Sequence, residues 1–135
     1  MALIVVDASV LVALLDAHDT LHVEAAAALA EAWDAGVELF VPSTAYAEAM
    51  VRPLEQGGEP LAQAEAFFAS QTIVPIDRRE AREAARLRGV HRPWLRMPDA
   101  LVLATGLLRD AAILTGDARW ARVSPLVRVL PGSDH

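Results

Sequence analysis

The chain has 135 residues, 54% of them hydrophobic and 22% charged, a balance that predicts one packed domain over residues 1–135 and excludes a disordered chain. It contains no cysteine, which removes disulfides, thiolate catalysis and cysteine-ligated zinc. The net charge is −6, and all 12 basic residues are arginines, so lysine-dependent P-loop and Schiff-base chemistry is closed to it.

Short apolar runs alternate with helical stretches, the pattern of an α/β fold with a mostly parallel sheet of four to five strands. A first strand is predicted over residues 3–6, followed by a short apolar helix from Ser9 to Leu15. An Ala-rich helix begins near Thr20, with Val23, Ala26, Leu29, Ala30 and Trp33 on one face, and Gly36 stops it. The second strand covers residues 38–41. Pro42-Ser43-Thr44 opens a helix through Glu48 and Met50 that Pro53 limits. Gly57-Gly58 marks a loop, and Pro60 suits the first turn of a helix running through Phe67-Phe68.

The third strand covers residues 72–76, and Asp77 caps the next helix with Glu80 as its box partner. Pro93 ends that region, and Pro98-Asp99 opens an apolar helix to Leu108. The fourth strand, Ala112-Ile113-Leu114, ends in Thr115-Gly116-Asp117. A helical turn around Trp120 leads to an edge strand from Leu126 to Leu130. No basic leader or cleavage motif precedes residue 3, and charged residues interrupt every apolar stretch short of a membrane span. A cytoplasmic protein with no membrane partner is expected.

Four acids fall at positions that matter. Asp7 follows the first strand and Asp117 the fourth, and in open parallel sheets ligands bind beyond the carboxyl ends of the strands. Glu48 and Asp99 stand near the starts of apolar helices that return to the same end. Crowded carboxylates repel one another, and hard cations such as Mg²⁺ or Mn²⁺ relieve that repulsion through oxygen ligands. Each acid also has a local reading. Asp7 can cap a helix, Asp117 can shape a turn, and Asp99 can complement a helix dipole. Glu48, mid-helix between Ala47 and Ala49, fits such a role least, and one metal site accounts for all four.

The segments IVVDASVLVALL, STAYAEAM, MPDALVLATGLL and AILTGDARW resemble, in order and spacing over essentially the whole chain, the motifs of PIN-domain nucleases. The length and the first motif are most similar to the VapC toxins of type II toxin–antitoxin pairs. The resemblance implies a three-layer α/β/α fold, Mg²⁺ or Mn²⁺ dependence and endonucleolytic cleavage of RNA. It also implies a homodimer and inhibition by a small cognate antitoxin. Carried over by motif, Asp7 and Asp99 are the principal metal ligands. Glu48 and Asp117 complete the acidic pocket directly or through water, and Ser9 and Thr115 orient ligands beside it. Arg119 departs from the pattern, since some relatives carry a further acid there, which bears on how firmly a second ion is held.

Seven arginines fall within residues 78–96 against only Glu80 and Glu83, and Arg78, Arg82 and Arg86 share one helix face. That stripe is either an RNA-backbone contact or a solvated face partly paired with Glu80 and Glu83. His18 and His22 read as surface residues, and Trp33, Trp94 and Trp120 as packing residues. A different class of function remains open, a non-catalytic PIN-fold module that binds a partner protein. A haloacid-type phosphatase needs an acid where Ser9 stands, a receiver domain needs a lysine, and no G-x-G-x-x-G follows the first strand for a dinucleotide.

Overall fold

A computed structural model describes residues 2–133. Five strands form one sheet: β1 (Leu3–Val6), β2 (Glu38–Pro42), β3 (Thr72–Val74), β4 (Ala112–Thr115) and β5 (Val127–Val129). Their order is β3-β2-β1-β4-β5, and every neighbouring pair is parallel. Six α-helices flank it in an α/β/α arrangement: α1 (Ala8–Leu15), α2 (His22–Asp34), α3 (Ser43–Gln56), α4 (Gly58–Ala69), α5 (Arg78–Val90) and α6 (Met97–Leu107). A short 3₁₀ helix, Ala118–Arg122, precedes β5.

The central strand explains the composition. Val5 pairs with both Phe40 and Ile113 in register, and a strand covered on both faces reads as a continuous apolar run. Around it Val5, Val6, Val10, Leu11, Val41, Leu103, Ile113 and Trp120 are fully or almost fully buried. Helix α6 lies close against β4 because residue 106 is glycine: a Cβ there would stand 2.2 Å from Ile113 Cγ1. The order reverses between β1 and its neighbour β4, so a crevice opens at the carboxyl ends of these two strands.

Several boundaries differ from expectation for identifiable reasons. Pro53 does not limit α3, which continues to Gln56. Its missing N–H forfeits one bond, while the proline itself is buried. The loop expected at Gly57-Gly58 shrinks to Gly57, because α4 already begins at Gly58. Strand β3 stops at Val74 because Pro75 has no N–H for the ladder. Helix α2 starts at His22 rather than near Thr20, since Asp19 Oδ1 accepts the Leu21 N–H at 2.9 Å and holds a turn there. Strand β5 is only three residues long, yet the Leu126 carbonyl and the Leu130 N–H both bond across to β4.

Asp77 does cap α5, accepting the Arg79 N–H at 2.9 Å. Glu80 bonds the Asp77 carboxyl itself, and its own buried carboxyl is pushed up, by desolvation first and then by Asp77. Trp120 is core, and Phe68 is buried edge-on to Tyr46. His18 is exposed, while His22 is half-buried with Nδ1 at 2.8 Å from the Ala13 carbonyl oxygen. Among the described residues, no helix is long and apolar enough to cross a membrane.

Candidate active site

The crevice at the β1–β4 switch point is a cleft of about 510 Å³ lined by Asp7, Ser9, Glu48, Asp99 and Asp117, with Gly116 and Trp120 in its wall. The four acids expected from sequence therefore meet at one place. Three come from the ends of β1 and β4 and from the first turn of α6, and Glu48 reaches it from α3.

Asp7 is the buried member. Its N–H extends the β-ladder to the Leu114 carbonyl at 2.9 Å, and its carbonyl starts α1 by accepting from Val10 and Leu11. Its side chain makes no helix-capping bond. The carboxylate instead faces the cleft, where Oδ2 accepts from Ser9 Oγ at 2.7 Å and from Thr115 Oγ1 at 2.8 Å. Each hydroxyl is locked in turn by a backbone N–H, Gly116 onto Ser9 Oγ at 2.9 Å and Asp117 onto Thr115 Oγ1 at 3.1 Å. Glycine at 116 suits this arrangement, because a Cβ there would lie 3.2 Å from Ser9 Oγ and 3.1 Å from a Leu21 methyl, closer than either packs comfortably. Desolvation pushes the Asp7 carboxyl up to about 6 against the pull of the two hydroxyls, and the Asp99 charge adds to the rise.

Asp99 is half-buried and is also raised, by desolvation first and then by the charges of Glu48 and Asp117, with Arg96 and Arg119 opposing. Glu48 is exposed at the rim. Asp117 combines two roles: it caps the 3₁₀ helix through the Arg119 N–H at 2.9 Å, and its two oxygens accept from Arg119 Nε at 3.1 Å and Nη2 at 2.7 Å. A fifth acid, Asp19, also lines the cleft. Its local turn-forming role hides it in the sequence, since only the path of the chain after α1 brings it there.

No three of the described His, Asp and Glu side chains stand together as a preformed metal cage. The donor set nevertheless fits a hard divalent cation. It is all oxygen, two of its carboxyls are raised, and three of its members repel one another around Asp99. Closing these carboxylates on an ion would relieve that repulsion.

Arg78, Arg82 and Arg86 do not reach the cleft. Arg78 and Arg82 are exposed on α5, whose first turn lies near Arg109 beyond the far end of α6, since Arg109 acts on Glu80. Arg86 is tied to Glu83 by two bonds of 2.7 and 2.8 Å. The arginines that act on the acidic centre are Arg96 and Arg119. Arg119 also lies over the Trp94 ring, 5.6 Å from its centroid, with Arg122 at 5.9 Å.

A second cleft of about 420 Å³ runs between α1, α3 and α4, lined by apolar Val12, Leu15, Val51, Pro53 and Pro60 and by the Asp16–Arg52 ion pair at 3.3 Å. It meets the acidic cleft at Val12 and Glu48, which line both.

The family model for the PIN domain matches residues 4–125. No curated protein sequence matches the chain. Among solved structures, a toxin–antitoxin complex from Klebsiella pneumoniae superposes with a TM-score of 0.76 at 24% identity, covering 96% of this chain and 97% of that one. A sarcin–ricin-loop-cleaving VapC toxin of Mycobacterium tuberculosis superposes with a TM-score of 0.73 at 18% identity, covering 95% and 99%. A VapBC structure from Rickettsia felis, bound to a DNA fragment of its promoter, gives a TM-score of 0.73 at 12% identity, covering 95% and 98%. At these identities the likeness to solved structures is one of fold.

Proposed function

The chain belongs to the PIN-domain family, and from that premise we propose that it is a metal-dependent endoribonuclease, the toxin of a type II toxin–antitoxin pair. The observation that carries this reading is the convergence of Asp7, Glu48, Asp99 and Asp117 on one cleft at the β1–β4 switch point. The VapC and toxin–antitoxin structures that share the fold support the toxin role.

Residues 1–135 act as a single nuclease domain, in the cytoplasm and as a homodimer. Asp7 and Asp99 would hold the ion, Mg²⁺ or Mn²⁺, with Glu48 and Asp117 completing the pocket directly or through water. Such an ion lowers the pKa of a bound water and neutralises charge on a phosphodiester. The chain's own contribution is positional. Ser9 and Thr115 fix the Asp7 carboxylate in one orientation, and their backbone partners keep the hydroxyl protons directed at it. The exposed rim at Glu48 leaves the site open to a polymeric substrate. Arg78, Arg82 and Arg86 offer a flank for RNA phosphates outside the cleft.

The apolar groove that meets the acidic cleft at Val12 and Glu48 suits an antitoxin segment, which would abut the acids and block RNA. The pairing of Asp117 with Arg119, which engages one of the four acids, favours a second reading, a non-catalytic partner-binding module. Mn²⁺-dependent cleavage of RNA separates the two. Asp7→Asn and Asp99→Asn should abolish it without unfolding the chain, and full activity in both variants would end the nuclease reading.

A further inference from the structure

Two side chains, those of Asp117 and Trp94, hold one cation at the edge of the acidic site. Arg119 closes a fork on Asp117, Nε to Oδ1 and Nη2 to Oδ2, while its own backbone N–H binds Oδ1 as well. Its guanidinium carbon also lies 5.6 Å from the centroid of the Trp94 ring, a cation–π contact. Trp94 is itself set edge-on to His91 with centroids 5.8 Å apart. The guanidinium is held at two points, and the fork geometry leaves it little rotational freedom.

Its charge also reaches beyond Asp117. Arg119 and Arg96 are the cations that act on Asp99, against Glu48 and Asp117. A second divalent ion in this cleft would draw on Asp117, which Arg119 already pairs, and on Asp99, which feels the same charge. It would also have to stand beside a positive charge that no accessible pH removes. The side-chain bonds of Asp7 go to Ser9 and Thr115 and not to Arg119.

Resting on the nuclease reading above, we propose that Arg119, clamped between Asp117 and Trp94, is a built-in cation that takes the place of a second divalent ion. The cleft then binds one ion per chain, and Asp117 is a positioning residue for Arg119 rather than a direct metal ligand.

Calorimetric titration of the full chain with Mn²⁺, paired with electron paramagnetic resonance of the bound ion, tests this. The wild type and Arg119→Lys, which keeps the charge, should bind one Mn²⁺ per chain with the spectrum of an isolated ion. Arg119→Gln should show a second binding step and spin coupling between ions, with the first step tightened by roughly tenfold as a nearby like charge is removed. Arg119→Met, which keeps an apolar contact with Trp94, is the alternative charge-free variant if the glutamine variant fails to fold. Two ions on the wild type, or one ion on the folded charge-free variant, would overturn the proposal and leave the metallonuclease reading standing. No Mn²⁺ on the wild type would end both.

Discussion

Thr115 and Asp7 are 108 residues apart in sequence, yet the Thr115 hydroxyl donates to Asp7 Oδ2 at 2.8 Å. The bond joins the ends of β4 and β1 at the point where the strand order reverses, so the fold's topology and the candidate chemistry meet in one contact. With Ser9 on the same oxygen, it offsets part of what burying a carboxylate costs.

Thr115→Val should therefore destabilise the chain by about 1.5–3 kcal/mol near pH 7, the range for losing a hydrogen bond to a charged group. The Asp7 carboxyl should move further up, since a bond that lowers it is gone. Urea unfolding at several pH values checks both effects, and a variant as stable as wild type at pH 7 would show that the bond is not contributing.

The pH dependence has a definite sign. Asp7 is raised from 3.8 to about 6 in the folded chain, so the unfolded chain releases this proton first. Stability from this group is full below about pH 4, is lost as pH rises toward 6, and stays lost above it. Asp7→Asn removes that loss. It should exceed the metal-free wild type by up to roughly 3 kcal/mol at pH 7, with the gap closing toward pH 4. A gap that widens toward low pH in thermal or urea melts would reverse the assignment.

Metal binding should run the opposite way. An ion needs the Asp7 carboxylate ionised, so Mn²⁺ affinity should climb as pH rises through about 6, with proton release on binding. Calorimetry in buffers of different ionisation enthalpy counts those protons. Binding that is equally tight at pH 5 and pH 7.5 would remove Asp7 from the ligand set.

Gly116→Ala tests the packing behind the hydroxyl network. The new methyl would crowd Ser9 Oγ at 3.2 Å and a Leu21 methyl at 3.1 Å, and the expected relief is a small shift of Ser9 from Asp7. The expected cost is about 1–3 kcal/mol, the range for overpacking. Mn²⁺ affinity should fall with it. Unchanged affinity would mean that Ser9 does not position Asp7.

For the arginine stripe, Arg78→Glu combined with Arg82→Glu should weaken RNA binding and flatten its dependence on salt by about two ion equivalents. Because neither arginine reaches the cleft, cleavage at saturating RNA should change little. An unchanged salt slope identifies the stripe as a solvated face.

Much of this arrangement was legible in the sequence. The strands announced themselves because a fully covered parallel sheet is made of short apolar runs, and the acids after residues 6 and 115 marked the strand ends. Asp117, which the sequence also allowed as a turn residue, makes a local bond to the Arg119 N–H and still lines the cleft, so a local role does not keep an acid from the site. The Arg119–Trp94 contact was hidden because it joins residues 25 positions apart in sequence, and neither residue type signals a partner by itself. Arg86 illustrates the converse. Helical spacing alone placed it beside Glu83 three residues away, and the two side chains do pair. Pro53 does not mark the helix end because it stands in the last turn of α3, where the ring is buried and only one backbone bond is lost.

The central claim is that the acidic cleft cuts RNA with a divalent ion. Cleavage of a mixed RNA pool by wild type, Asp7→Asn and Asp99→Asn, with and without Mn²⁺ and with melting curves on the same samples, tests it most directly. The account predicts Mn²⁺-dependent internal cleavage by the wild type, and loss by at least about a hundredfold in both folded variants, the scale at which metal-site and electrostatic catalysis fails. A folded wild type that neither binds Mn²⁺ nor cuts RNA, or two folded variants that cut as well as wild type, would contradict it.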